Sequence, residues 1–189
     1  MRGAMDLVRR RCETTRRVFV ALLIASVLCG GTAACAREAP LPRVALSQDS
    51  NPIQATREAI DGARDSVHAV VYKFDEPGLL ESLAAARRRG VVVRLVVDGE
   101  EAAKSKSRVS AAIEAGAVVR LWPRDLGKLH AKFTVIDSKR ALAGSFNWTR
   151  AALQKNVELV LDLADAETAA RLITLFERLW AQAAPAAAP

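Results

Sequence analysis

Only two histidines occur in the chain. One of them, His130, stands in the stretch KLHAKFTVIDSKRALAGSFNWT, residues 128–149, among groups that suit a bound phosphate. Lys132 follows it by two residues and Asp137 by seven; Gly144, Ser145 and Asn147 come soon after. On a strand, side chains at i and i+2 share a face, so His130 and Lys132 project together while Ala131 and Phe133 turn to the core. Asp137 falls at odd spacing at the strand's end, where it is expected to fix the turn and neighbouring cations. Gly144 lets the backbone turn closely after the next strand. Ser145 and Asn147 then offer a hydroxyl and an amide at the same end of the sheet. An ammonium, a hydroxyl and an amide together hold the oxygens of a phosphodiester. The imidazole is the one group there able to attack phosphorus or move a proton near neutral pH.

Other chemistries fit poorly. Ser145 is not a serine-hydrolase nucleophile, because the G-x-S-x-G elbow is absent. Two distant histidines without a cysteine pair give no metal-ligand set, and no cofactor is expected. His68 lacks matching partners and reads as an ordinary strand residue.

The elements that must position these groups alternate. Val44–Leu46, Val67–Phe74, Val91–Val97, Ala117–Leu121, Leu129–Ile136, Ala141–Ala143 and Val157–Leu163 read as strands, several of them nearly continuous apolar runs suited to burial on both faces. Helices are expected from Asn51-Pro52, from Pro77 to the stop at Gly90, over 107–115, and from Asp165 to about Gln182. This pattern predicts an α/β fold: a central sheet with helices on both faces. Ala183–Pro189 is expected to be a disordered alanine-proline tail.

The chain carries a net charge of +7, unevenly spread. Residues 1–36 hold six arginines against Asp6 and Glu13, followed by the apolar run Val18–Cys29 and small residues. That run is too short to span a membrane and reads as an export signal, of twin-arginine or general type, which predicts a periplasmic or extracellular protein. Ala33-Ala34-Cys35 offers a lipoprotein alternative, with anchoring through Cys35. Residues 37–43 form a linker to the domain at 44–182. Lys104, Lys106, Arg108, Arg124, Lys128 and Arg150 line a polyanion groove or are solvated surface charge. Trp122, Phe146 and Trp148 either stack on bases or, as expected, pack in the core.

His130-x-Lys132-x4-Asp137-x6-Gly144-Ser145-x-Asn147 resembles the HKD signature of the phospholipase D superfamily. AIDGARDSVHAVVYKF, ARRRGVVVRLVVDGE, LHAKFTVID, GSFNWT and NVELVL resemble its small single-motif bacterial endonucleases across about residues 44–182. The resemblance implies the phospholipase D/nuclease fold, a mixed central sheet flanked by helices on both faces, with one motif per chain. It implies a metal-independent phosphodiesterase, foremost a non-specific endonuclease on DNA or RNA, with a phospholipase D or cardiolipin hydrolase acting on phospholipid head groups as the alternative. It also implies a homodimer with the active site on the twofold axis, where one His130 forms a phosphohistidine and the partner subunit's His130 protonates the leaving oxygen. By the same resemblance His130, Lys132, Asp137 and Glu158 are the catalytic set, with Glu158 orienting the histidine. Lys132, Ser145 and Asn147 bind the phosphate.

Overall fold

A computed structural model of the protein describes residues 41–46 and 51–186. The expected export leader at 1–36, with Cys35, and the expected linker up to residue 40 lie outside the described residues. The chain runs β1 (Arg43–Leu46), α1 (Pro52–Asp61), β2 (Ser66–Val71), α2 (Pro77–Arg88), β3 (Val92–Asp98), α3 (Gly99–Ala102), α4 (Val109–Glu114), β4 (Val118–Trp122), a short 3-10 turn (Arg124–Leu126), β5 (Phe133–Ile136), β6 (Arg140–Gly144), α5 (Arg150–Gln154), β7 (Leu159–Leu163), α6 (Ala166–Gln182) and β8 (Ala184–Pro185). The strands form one sheet in the order β1-β7-β6-β5-β2-β3-β4-β8. β2, β3 and β4 pair in parallel; every other pairing is antiparallel.

The helices start where their caps predict. Asn51 accepts from Gln54 N (3.1 Å), and Glu76 from Leu79 N (2.6 Å). Asp165 accepts from Thr168 N (2.8 Å). Each cap satisfies an amide that the first helical turn leaves without a partner. β2 shows why the sheet is covered on both sides. Val67, Ala69 and Val71 join a core with Ile53 and Ile60 of α1 and Leu79 and Leu83 of α2. Val70 joins a second core with Phe133, Val135 and Ala141, closed by Phe176 of α6. α6 is tied down further by Arg94 of β3, which donates to both oxygens of Glu177 (2.6 and 3.0 Å) and lies 4.1 Å from the Trp180 ring centre.

Three features differ from the sequence expectations. The ladder of β5 begins at Phe133 rather than Leu129; the preceding residues are held instead by Leu129 N donating to Asp98 Oδ2 (3.1 Å). Two short helices were not expected, α3 capped by Asp98 and α5 capped by Thr149. The tail is ordered as far as residue 186: β8 pairs with the edge of β4, and Ala186 N donates to Val119 O (3.0 Å). An open strand edge offers unpaired backbone groups, and a proline is tolerated in a strand that lies at the sheet's rim.

Candidate active site

β5 runs antiparallel to β2 with Phe133 opposite Val70. That register, carried on, sets Lys132 level with Val71, the last residue of β2, and His130 level with Lys73, on either side of Tyr72. The His130 ring meets the Tyr72 ring edge-on, centroids 4.9 Å apart at 62°. The ammonium groups of Lys73, Lys132 and Lys128 lie 5.1, 5.4 and 5.6 Å from the centre of the same ring. Three cations would repel one another here without compensation. The negative π face of Tyr72 supplies part of it. Glu101 supplies more: it accepts from Lys104 Nζ (2.6 Å) and the Tyr72 hydroxyl, and faces Lys73 Nζ at 3.8 Å. Burial pushes the Glu101 carboxyl up, but these partners outweigh it and hold it below the usual range.

The same cations act on the imidazole. Lys132 first, then burial, Lys128 and Lys73 hold His130 below its ordinary pKa, so its neutral form prevails at neutral pH with a lone pair free to attack. Lys132 also donates from Nζ to the His130 carbonyl oxygen (2.5 Å), which ties the two side-chain positions together. Burial lowers the Lys132 ammonium, the charge of Glu158 opposes that, and Lys73 adds to it.

The second wall comes from the junction of β6 and β7. Gly144 packs against the backbone of Leu159 so closely that a Cβ there would collide with the Leu159 carbonyl oxygen. That approach sets Ser145 beside Glu158. Ser145 N donates to Leu159 O (3.0 Å), Leu159 N donates to Ser145 Oγ (3.1 Å), and Ser145 Oγ donates to Glu158 Oε2 (2.5 Å). Asn156 Nδ2 donates to Glu158 Oε1 (2.9 Å). Asn147 Oδ1 is buried without a hydrogen-bond partner among the described residues.

The structure thus gathers His130, Lys132, Ser145 and Glu158 around one end of the sheet, and leaves Asp137 outside it. Asp137 sits in the turn at the far end of β5, at φ 52°. Its carboxylate accepts the amides of Arg64 (3.1 Å), Asp65 (2.8 Å) and Ser66 (2.9 Å). Burial raises its pKa, but those three amides prevail and hold it below the usual carboxylate range. Its oxygens are committed to tying β5 to the start of β2, the turn-fixing place its odd spacing predicts, and the resemblance alone puts it in the catalytic set. Ala131 is exposed rather than turned to the core; the β5 ladder begins only at Phe133.

Tyr72 is the residue that sequence reasoning missed. Its signal was present: it is the chain's only tyrosine and ends an apolar strand immediately before Lys73. His68 lies at the other end of β2, beneath α6, its ring 5.0 Å from Phe176. Trp148 and Phe146 are buried, Trp148 edge-on to Phe74 at 5.2 Å, and Trp122 Nε1 donates to Gly127 O (3.0 Å). These aromatics pack in the core and offer no stacking platform.

One imidazole, an ammonium, an amide and a hydroxyl at the ends of a mixed α/β sheet suit the hydrolysis of a phosphodiester. The comparisons agree. The family model described as "Cardiolipin synthase, PLD-like domain" matches residues 56–180. Mitochondrial cardiolipin hydrolase of Xenopus laevis is 36% identical over 148 residues, covering 75% of this chain and 70% of its own length. That of Mus musculus is 33% identical over 140 residues, covering 74% and 63%. The crystal structure of Nuc, a phospholipase D family member from Salmonella typhimurium, superposes with TM-score 0.71 at 27% identity, covering 77% of this chain and 97% of Nuc. The chain belongs to the phospholipase D-like family. It spans 63% of the length of the mouse relative and 56% of that of Canis lupus familiaris.

Proposed function

We propose that the protein is an exported, metal-independent endonuclease that cuts DNA or RNA with little sequence preference, and that it works as a homodimer. The observation that carries this reading is the placement of the two histidines. Hydrolysis through a covalent intermediate needs one imidazole to attack and another to handle the leaving group's proton. Each chain brings a single imidazole to the cradle, since His68 lies beneath α6. A second copy related by a twofold axis supplies the other.

In the first step His130 bonds through a ring nitrogen to phosphorus. The phosphorus–oxygen bond to the leaving group breaks, and that oxygen takes a proton from the partner subunit's His130. In the second step water attacks phosphorus, gives a proton back to the partner subunit's His130, and the phosphorus–nitrogen bond breaks. Lys132 and Asn147 stabilise charge on the non-bridging oxygens, Ser145 holds Glu158 in place through its hydroxyl, and Glu158 balances the lysine. Lys73 and Lys128 assist by keeping the attacking ring neutral.

The test is cleavage of plasmid and single-stranded DNA in excess chelator, by wild type and His130→Asn, with the mass in solution measured in parallel. Cleavage by a dimer in chelator, abolished in His130→Asn, is the expected result. Loss of wild-type activity on chelation, or full activity in a monomer, overturns it.

The cardiolipin hydrolase relatives favour a second reading, removal of phospholipid head groups. Val157, beside Glu158 in the chain, is exposed and apolar, but the groups gathered at Tyr72 are cationic. Head-group release from cardiolipin vesicles, without nuclease activity, would establish it.

A further inference from the structure

A cleft of about 390 Å³ lies beyond the active site. Asp75, Lys106, Arg108, Arg150, Gln154 and Lys155 are among its walls. Asp75 is the only acid and Ala151 the only apolar residue in the lining. The acid is already occupied: its Oδ1 accepts from Arg150 N (2.9 Å) and its Oδ2 faces Lys106 Nζ at 3.6 Å. The side chains of Arg108, Arg150 and Lys155 have no ion-pair partner among the described residues, and the Nε of Arg108 is buried without a hydrogen-bond acceptor. Three uncompensated cations in one concavity repel each other, and burying an unpaired guanidinium nitrogen costs free energy. An anion in the cleft would relieve both.

The cleft is continuous with the catalytic cations. Lys73 and Lys104 share a small depression with Asp75 and Lys106, and the latter two also line the cleft. Basic groups therefore run from His130 and Lys132 through Lys73, Lys104 and Lys106, which face Glu101 and Asp75, to Arg108, Arg150 and Lys155. Lys73 and Asp75 are two residues apart on extended chain, roughly 7 Å, so the two sites lie within reach of neighbouring phosphates on one strand. The aromatics of this region, Phe74 and Trp148, are buried. The walls offer bases nothing to stack on and acyl chains nothing to lie on.

We infer that this cleft is a second phosphate site, which holds the backbone of a polynucleotide strand to one side of the scissile bond. The inference rests on the nuclease reading and names the substrate contact that sets its affinity. A contact away from the reacting atoms binds ground and transition states alike, so it lowers KM and leaves kcat unchanged. It also reads phosphate and not sequence.

The test uses the full chain carrying His130→Asn, with a fluorescent single-stranded oligonucleotide of about twelve nucleotides as the probe. Arg108→Gln with Lys155→Gln is compared with Lys139→Gln and Arg171→Gln, which remove the same charge elsewhere. The cleft pair is expected to weaken binding about tenfold and to flatten the slope of log affinity against log salt by about 1.4, as two lost contacts to a single strand require. The control pair is expected to bind like the parent. If Arg108→Gln fails to fold, Lys155→Glu alone carries the test, since that side chain is exposed. With His130 restored, the cleft pair should raise KM for the oligonucleotide while hydrolysing bis-p-nitrophenyl phosphate as wild type does. Unchanged binding, or an equal fall in the control pair, overturns the cleft and leaves the nuclease reading standing. A wild type that binds the probe through the cleft but cuts no nucleic acid overturns the nuclease reading instead. Loss of cardiolipin-vesicle binding in the cleft pair, with oligonucleotide binding intact, also overturns the inference.

Discussion

The Cα of Gly144 rests against the carbonyl of Leu159, with no room for a side chain between them. This contact joins β6 to β7 at the rim of the active site, and from it Ser145 and Glu158 meet. Backbone carbonyls do not yield as flexible side chains do. Gly144→Ala is expected to cost about 3 kcal/mol of stability, at the upper end for overpacking, and to lower cleavage in the molecules that still fold. Chemical denaturation and rates normalised to folded protein check this; a variant that melts and cuts like wild type removes the argument.

Tyr72 gives His130 a surface to lean on and the surrounding lysines a shared counter-field. Tyr72→Phe keeps the ring and drops the hydroxyl bond to Glu101, so it should retain most activity. Tyr72→Ala removes the ring and should lower kcat by about 10²-fold, the scale of a misplaced catalytic group. Equal effects of the two substitutions on kcat would show that the ring has no positioning role.

The depressed pKa of His130 has a direction that can be tested. Attack needs one His130 neutral and the leaving oxygen needs the partner subunit's His130 charged, so kcat/KM rises and then falls with pH across the titration of the pair. Lys128 is one of the cations that lower the His130 pKa. In Lys128→Gln that pKa rises, and the acid limb of the profile moves to higher pH. A limb that stays in place, or moves to lower pH, contradicts the electrostatic account.

His68 governs a different pH dependence. Burial first and Arg94 second lower its pKa, with Glu177 opposing. The folded state therefore resists the proton that the unfolded chain accepts. Stability is full above the ordinary imidazole range and falls as pH drops through it. His68→Gln should flatten the curve of unfolding free energy between about pH 7.5 and 5.5, since the unfolded imidazole titrates near 6.5. A wild-type curve as flat as the variant's counts against this.

Asp137 titrates with the opposite sign of charge. Its folded pKa is depressed, so its contribution is present above the ordinary carboxylate range and is lost as pH falls through the folded value. Asp137→Asn should cost about 1.5–3 kcal/mol at neutral pH, the range for hydrogen bonds to a charged group. Under conditions where the variant is fully folded, it should still hydrolyse bis-p-nitrophenyl phosphate at a rate near that of wild type. Loss of that activity in folded protein would return Asp137 to the catalytic set.

The cradle was legible in the chain because local rules determine it. The motif's spacing brought His130 and Lys132 together although the strand begins only at Phe133, and a glycine before Ser145 marked a close backbone approach that the structure contains. The alternation of apolar strands with capped helices predicted the α/β sheet and its two covered faces. What the sequence could not determine depends on groups distant along the chain. Asp137 takes its partners from residues 64–66, more than seventy positions earlier. Tyr72 meets His130 only because β5 lies antiparallel on β2. The candidate cations separated once their neighbours were known: Arg124 and Lys104 pair with acids, whereas Arg108 and Arg150 line a cleft with Lys155. Strand register and charge pairing are set by the packing of the whole sheet, so only the tertiary structure decided which groups share a surface.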